Sequence, residues 1–351
     1  MSLRSALTRG AASLLLLLAS SALALLVLEG ASRVLVPIAP GARFQDLGGQ
    51  PIKPYAGEER MAPNIVFRQI SPDYDVLATT GPLGFRSPEP PAAPEVLLLG
   101  DSFTFGQGLA DSETFAAIWC AAANVVCANL GRPGTGTLRQ LNVLEQELVR
   151  GWRPKEVKLF VLAMSSALLA GNDFLDTEIE TRIAAARLSA GDMQPVQVEP
   201  PPSAEESLLG WVVERRAWIL ARSNLARVVY ARLGSALRTA LSPDASAEEL
   251  AAGIAAMADQ FARLRSLSQH YGFAYSIYVL HPVQDLIGGT WPDTVVAVRR
   301  AAGEARVVDT APALLADPTR YYFPYDGHFN ADGARAVAKL LIEDGAGDLR
   351  R

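Results

Sequence analysis

The 351-residue sequence predicts an α/β fold, a doubly wound parallel five-stranded sheet with helices on both faces. Three observations lead there. Short apolar runs recur at 96–99, 125–128, 157–162, 274–280 and 306–309 without clean alternation, as strands covered on both faces do. Amphipathic helical stretches lie between them, so strand and helix alternate along the chain. The runs end in loops rich in Gly, Asp, Asn and Ser, the chemistry expected at the carboxyl edge of such a sheet.

In chain order, the first element is not part of that sheet. Arg4 and Arg9 precede an uncharged stretch, residues 11–28, bounded by Glu29 and Arg33. At about 1.5 Å per residue this stretch covers about 27 Å, enough to cross a bilayer core. It is longer than the roughly 7–15 apolar residues of a cleaved signal, so it reads as an uncleaved anchor. The triplet Ala22-Leu23-Ala24 offers the alternative of cleavage and secretion. The arginines put the N-terminus in the cytoplasm and the remainder outside, which for a bacterium means an inner-membrane anchor with a periplasmic or extracellular domain. Residues 1–40 are thus anchor and linker, and residues 41–351 a single α/β domain. Pro37, Pro40 and the Gly/Pro-containing stretch to Pro54 read as linker.

The first strand, Val96–Leu99, runs into Gly100-Asp101-Ser102, and a helical stretch follows at 113–120. Cys120 and Cys127, the two cysteines, flank the next turn; both a helix-to-strand disulfide and two buried thiols fit. After the second strand comes NLGRPGTGT (129–137), then a helix over 138–150. The third strand leads to Gly171-Asn172-Asp173. An insertion follows at about 176–271, with a proline-rich loop at 195–202. Its last part is an amphipathic helix in which Leu250, Ile254, Met257, Phe261, Leu264 and Leu267 recur at three- and four-residue spacing. Ser246 and Glu249 fit a capping box, and Gly272 a stop. That stripe is read as packing against the sheet. A helix at 293–302, the fifth strand, the loop YYFPYDGHFNADG (321–333) and a final helix after Asn330 complete the chain.

Composition narrows the function classes. A net charge of −5 with 32 scattered Lys and Arg gives no basic footprint for nucleic acid. The cysteine spacing lacks zinc-ligand character, and no cofactor motif is present: the glycines at 131, 134 and 136 are not in dinucleotide-binding order. A serine after a buried strand, at a helix start where backbone N–H groups are free, sits where a nucleophile is needed. The glycine-rich loop after the second strand can supply an N–H donor, the Asn172 amide a second, and His328 a base. Each follows a different strand, so four loops converge on one edge. An α/β-hydrolase nucleophile elbow fits less well, because position 104 is Thr where that motif has Gly.

These four blocks, GDSFTFG, NLGRPGTG, GND and DGH, resemble those of the SGNH hydrolase superfamily, the GDSL-type esterases. TGPLGFRSPE (80–89) and DSETF (111–115) are similar to its membrane-anchored, extracytoplasmic branch. The resemblance implies a serine esterase of the flavodoxin-like three-layer fold. Ser102 would be nucleophile, His328 general base and Asp326 its acid partner. The oxyanion hole would be formed by Ser102 N–H, Gly134 N–H and the Asn172 side chain, with Gly131 the lesser choice for the glycine. The expected substrate is an acyl ester, an O-acetyl group on an envelope carbohydrate. The chain departs from the family's Asp-x-x-His: Asp326-Gly327-His328 is one residue shorter. In an extended segment i and i+2 point to one side and the acid still reaches the ring, whereas a turn at Asp-Gly would change this. Asp332 is assigned to the first turn of the last helix, and His281 and His270 are weaker candidates for the cleft. Two other activities fit the same blocks: O-acetyl transfer to an exported polysaccharide, and non-catalytic glycan binding.

Overall fold

The computed structural model describes residues 3–35, 43–50, 52, 60–86, 94–163, 222–229 and 247–348. The chain divides into two compact units, residues 1–40 with 199–244, and residues 41–198 with 245–351.

In the first unit, α1 (Leu3–Leu35) is a single helix whose segment Leu16–Leu35 is long and apolar enough to cross a membrane, as a signal sequence near an N-terminus also is. Its Leu16, Leu17, Leu25 and Leu26 side chains are exposed. Near its end, Glu29 accepts hydrogen bonds from Ser223 Oγ (2.8 Å), Asn224 N (2.9 Å) and Leu225 N (3.0 Å). The carboxylate thereby satisfies the free N–H groups that open the helical segment 224–229.

The second unit is built on the expected parallel sheet. Its strands are β4 (Val96–Leu99), β5 (Cys127–Asn129), β6 (Glu156–Leu162), β7 (Ala274–Leu280) and β8 (Val307–Asp309), in the order β5-β4-β6-β7-β8. All neighbours are parallel; Leu97 pairs with Val157, and Val157 with Tyr275. Strand β4 is buried throughout and β6 nearly so, which is why these segments read as continuous apolar runs. One face carries Leu97, Leu99, Val157, Leu159 and Ile277 against α4 (Thr137–Val149), α5 (Ala247–Tyr271) and α7 (Trp291–Ala302). The other carries Leu98, Phe160 and Tyr278 against α3 (Phe115–Ala123) and α8 (Ala331–Asp348). The result is three layers. Met257, Phe261, Leu264 and Leu267 of the expected amphipathic helix are buried on the sheet; Ser246, its expected cap, lies outside the described residues.

Helix limits follow local chemistry. Thr114 Oγ1 accepts from Ala117 N at 3.1 Å to open α3, and Asn124 closes it in the left-handed region. Cys120 in α3 and Cys127 at the start of β5 form a disulfide, with Cα atoms 6.2 Å apart.

The stretch read as linker to Pro54 differs. Arg43–Gln45 is a strand, β1, pairing antiparallel with β2 (Val66–Ile70), which pairs with β3 (Asp75–Thr79). The hairpin turn is Ser71-Pro72-Asp73-Tyr74. Phe67, Ala78 and Met61 bury against Phe105, a residue of α2 (Ser102–Phe105), so this small sheet packs on the helix that begins with Ser102. Arg86 reinforces the junction. Fully buried, it donates to Asp111 Oδ1 (2.8 Å) and Leu109 O (2.6 Å) and lies over the Phe105 ring.

Candidate active site

Strand β4 delivers Gly100 and Asp101 to the carboxyl edge, and α2 starts at Ser102. Asp101 caps that helix, its Oδ1 accepting from Phe103 N at 2.9 Å, while its Oδ2 has no hydrogen-bond partner among the described residues. Burial pushes the Asp101 carboxyl up to about 6, with the Phe103 N–H and the nearby His328 acting in the opposite direction. As the first residue of its helix, Ser102 has a backbone N–H with no intrahelical acceptor.

The loop after β5 packs tightly over this helix. Asn129 bridges the two, donating through Nδ2 to Thr104 O (2.8 Å) and accepting from Gly131 N (2.9 Å). A Cβ at Gly131 would lie 2.3 Å from Phe105 N, so only glycine fits there. Because the Gly131 N–H is already held by Asn129, it is not available to a ligand in this arrangement. Gly134 lies farther along the loop in the left-handed region, φ +72°. Asn172 and the rest of the GND block lie outside the described residues.

The histidine arrives on the loop between β8 and α8. Phe323 N donates to His328 O (2.8 Å) and Gly327 N to Phe323 O (2.9 Å), closing a tight loop whose bend is taken by Gly327 at φ +81°. The segment is a turn, not the extended strand that the i, i+2 argument assumed. It nonetheless brings the acid to the ring. His328 Nε2 lies 2.6 Å from Ser102 Oγ, and His328 Nδ1 is hydrogen-bonded to Asp326 Oδ1. Phe103 packs against the imidazole with centroids 4.6 Å apart, and Phe329 packs on Phe103 in turn. A base held between a serine hydroxyl and a carboxylate is the arrangement of nucleophilic acyl transfer.

Three residues that sequence reasoning missed close around Asp326. Tyr74 OH donates to its Oδ2 at 2.9 Å, and Gln107 Nε2 donates to the same oxygen at 3.2 Å. Asp73 Oδ2 accepts from the backbone N–H groups of Tyr325 (2.9 Å) and Asp326 (2.8 Å). Burial raises the Asp326 pKa, but the hydrogen bonds from His328, Tyr74 and Gln107 outweigh it and hold the carboxyl below its ordinary range. Burial and the Asp326 charge drive the Tyr74 phenol far up, so it stays a neutral donor at any working pH. Two short runs, 66–70 and 75–79, joined by a Ser-Pro-Asp turn were the available signal, and they mark a hairpin.

The remaining candidates lie elsewhere. His281 is buried at the end of β7 with Nε2 2.8 Å from Asp309 Oδ1, and Tyr322 OH donates to its carbonyl. His270 packs on Tyr271 in the last turn of α5. Asp332 stands in the first turn of α8 and pairs with Arg335 and Arg320. Among the described residues, no group of three His, Cys, Asp or Glu side chains is placed to hold a metal ion.

No family model matches the chain, and no curated protein matches it. Solved structures do resemble it. One is a lipolytic G-D-S-L family member from Veillonella parvula, at 13% identity and TM-score 0.36, covering 71% of this chain and 96% of its own. A second is a carbohydrate esterase family 2 enzyme with a carbohydrate-binding domain from Myceliophthora fergusii, at 16% identity and TM-score 0.37, covering 89% of each chain. A third is a carbohydrate acetylesterase family member from Sinorhizobium meliloti, at 14% identity and TM-score 0.34, covering 71% and 95%. Identities this low and superpositions this loose are too weak to carry chemistry from those proteins to this one.

Proposed function

We propose that the chain is a membrane-anchored serine esterase that hydrolyses an acyl ester, the O-acetyl group of an envelope carbohydrate, on the extracytoplasmic side of a bacterial inner membrane. The observation that carries the reading is the geometry at one oxygen: Ser102 Oγ 2.6 Å from His328 Nε2, with the other ring nitrogen bonded to the buried Asp326. The motif resemblance supports the substrate class. The cysteine pair fits an oxidising compartment, and the apolar α1 with Arg4 and Arg9 before it fits an anchor inserted with its N-terminus inside.

In this reading His328 Nε2 takes the proton of Ser102 as the oxygen attacks the ester carbonyl, and Asp326 holds the ring in the tautomer that leaves Nε2 free. The oxyanion is met by the N–H groups of Ser102 and Gly134 and by the Asn172 amide; losing one such donor costs about 3–4 kcal/mol in comparable sites. His328 then returns the proton to the leaving alcohol. Water, deprotonated by the same nitrogen, releases acetate and restores the serine.

The test is acetate release from p-nitrophenyl acetate by the full chain in detergent, compared with Ser102→Ala, with labelling of Ser102 by a fluorophosphonate. The variant is expected to lose roughly 10⁶-fold in kcat and all labelling. A wild-type protein that neither turns over nor labels would overturn the reading. Acetylated sugar appearing when acceptor carbohydrate is added would convert it to a transferase.

A further inference from the structure

The short Asp-Gly-His spacing raises a physical problem. A turn at Gly327 does not by itself direct the Asp326 carboxylate at the imidazole, and a buried carboxylate with one partner is costly to hold charged. The side chain of Asp326 is only 5% exposed. What holds it comes from the small antiparallel sheet and from the residue just past the nucleophile helix.

We propose that Asp73, Tyr74 and Gln107 form a clamp that positions Asp326, so that the three-stranded sheet β1–β3 is a working part of the catalytic site. This rests on the serine-esterase reading above. The division of labour is explicit. Asp73 fixes the loop backbone through the amides of residues 325 and 326. Tyr74 donates to Oδ2 and Gln107 Nε2 sits closest to the same oxygen at 3.2 Å, with Oδ1 at 3.5 Å, while His328 Nδ1 is bonded to Oδ1. The donors are themselves pinned: the Tyr74 ring packs on Phe323 with centroids 4.9 Å apart, and Gly108, next to Gln107, donates to Gln69 Oε1 of β2 at 3.1 Å. A Cβ at Gly108 would fall 2.5 Å from the Tyr74 ring, so that glycine makes the room Tyr74 occupies. Asp73 and Tyr74 act through Asp326; Gln107 also donates its backbone N–H to Ser102 O at 3.1 Å and brings Nε2 within 3.4 Å of His328 Nδ1, so it holds the loop, the acid and the ring together as a positioning residue.

The groups facing Asp326 are His328 from its own loop, Tyr74 from the β2–β3 turn and Gln107 after α2; Asp73 faces its backbone, and the buried Asp101 interacts electrostatically with His328. Removing Tyr74 OH or Gln107 Nε2 takes away hydrogen bonds that favour the charged carboxylate. Asp326 then becomes a stronger base, and the coupled Asp326–His328 pair keeps its proton to higher pH.

The experiment follows the low-field proton of His328 Nδ1 by NMR against pH in the full chain, beside the pH profile of kcat/KM. It compares wild type, Tyr74→Phe, Gln107→Leu and, as control, the exposed Leu77→Ala of β3. Phe keeps the ring contact with Phe323, so the fold is retained. Expected are a titration midpoint raised by about one pH unit in each clamp variant, a kcat lowered about tenfold with KM unchanged, and no change in the control. A midpoint that stays put in both clamp variants overturns the proposal, as does a wild type with no low-field signal, or Tyr74→Phe unfolding outright. A shifted midpoint in a protein whose Ser102 never labels would instead keep the clamp and refute the esterase reading.

Discussion

At the scale of single residues, Asp101 carries a tension that Ser102 does not. It must stand before the serine to cap α2, yet the strand end that delivers it is buried, and one of its oxygens has no hydrogen-bond partner among the described residues. Its folded-state pKa, about 6, lies above the ordinary 3.8. The sign follows: its contribution to stability is present in full below the unfolded value and is lost as pH rises to about 6, a loss of up to about 3 kcal/mol. Asn keeps the capping oxygen without the charge. Asp101→Asn is therefore expected to lower the fall in melting temperature between pH 4 and pH 8 relative to wild type, measured by thermal unfolding monitored by circular dichroism; an identical fall in both proteins would refute it. The sequence singled out Ser102 and His328 as candidates because each stands in a short motif after a strand, where its chemistry can be read locally. Tyr74 and Gln107 escaped because a tyrosine in a turn and a glutamine after a helix are ordinary in isolation. Only the partner, more than two hundred residues away, gives them a role.

Among the elements, the junction between β1–β3 and α2 joins an apolar cluster to a buried cation. Arg86 pairs with Asp111, donates to Leu109 O and lies over Phe105. Asp111 in turn accepts from Thr79 Oγ1 at 2.7 Å, tying the end of β3 to the segment after α2. Arg86→Ala removes one partner of a desolvated network, and the expected cost is about 3–5 kcal/mol in urea unfolding. Because the clamp on Asp326 depends on this sheet staying seated, the same variant should lose activity before it loses fold. The parallel strands were legible in the sequence, since burial on both faces leaves them no polar positions. The antiparallel sheet was not: its strands are short and half exposed, with Arg68 and Asp75 at the surface, and β1 falls in the Gly/Pro-containing stretch to Pro54 that read as linker.

On the scale of the molecule, the two units pose separate questions. In α1 the polar end, not the apolar stretch, makes the described contacts: Glu29 and Ser32 hold Ser223, Asn224 and Leu225. If α1 is retained as an anchor, the full chain should stay in the membrane pellet after alkaline carbonate extraction; release of a chain shortened by about 24 residues would show cleavage instead.

By itself the sequence determined the layered parallel fold and an N-terminal segment able to cross a membrane, and it singled out Ser102 and His328 as candidates, because periodicity, composition and local motifs are written along the chain. Tertiary structure decided what joins them. It placed Asp326 on the imidazole across a turn that its spacing did not predict, and set a hairpin from residues 66–79 behind it. Those contacts depend on loop geometry and on segments meeting across long sequence separations, where no local pattern records the partner.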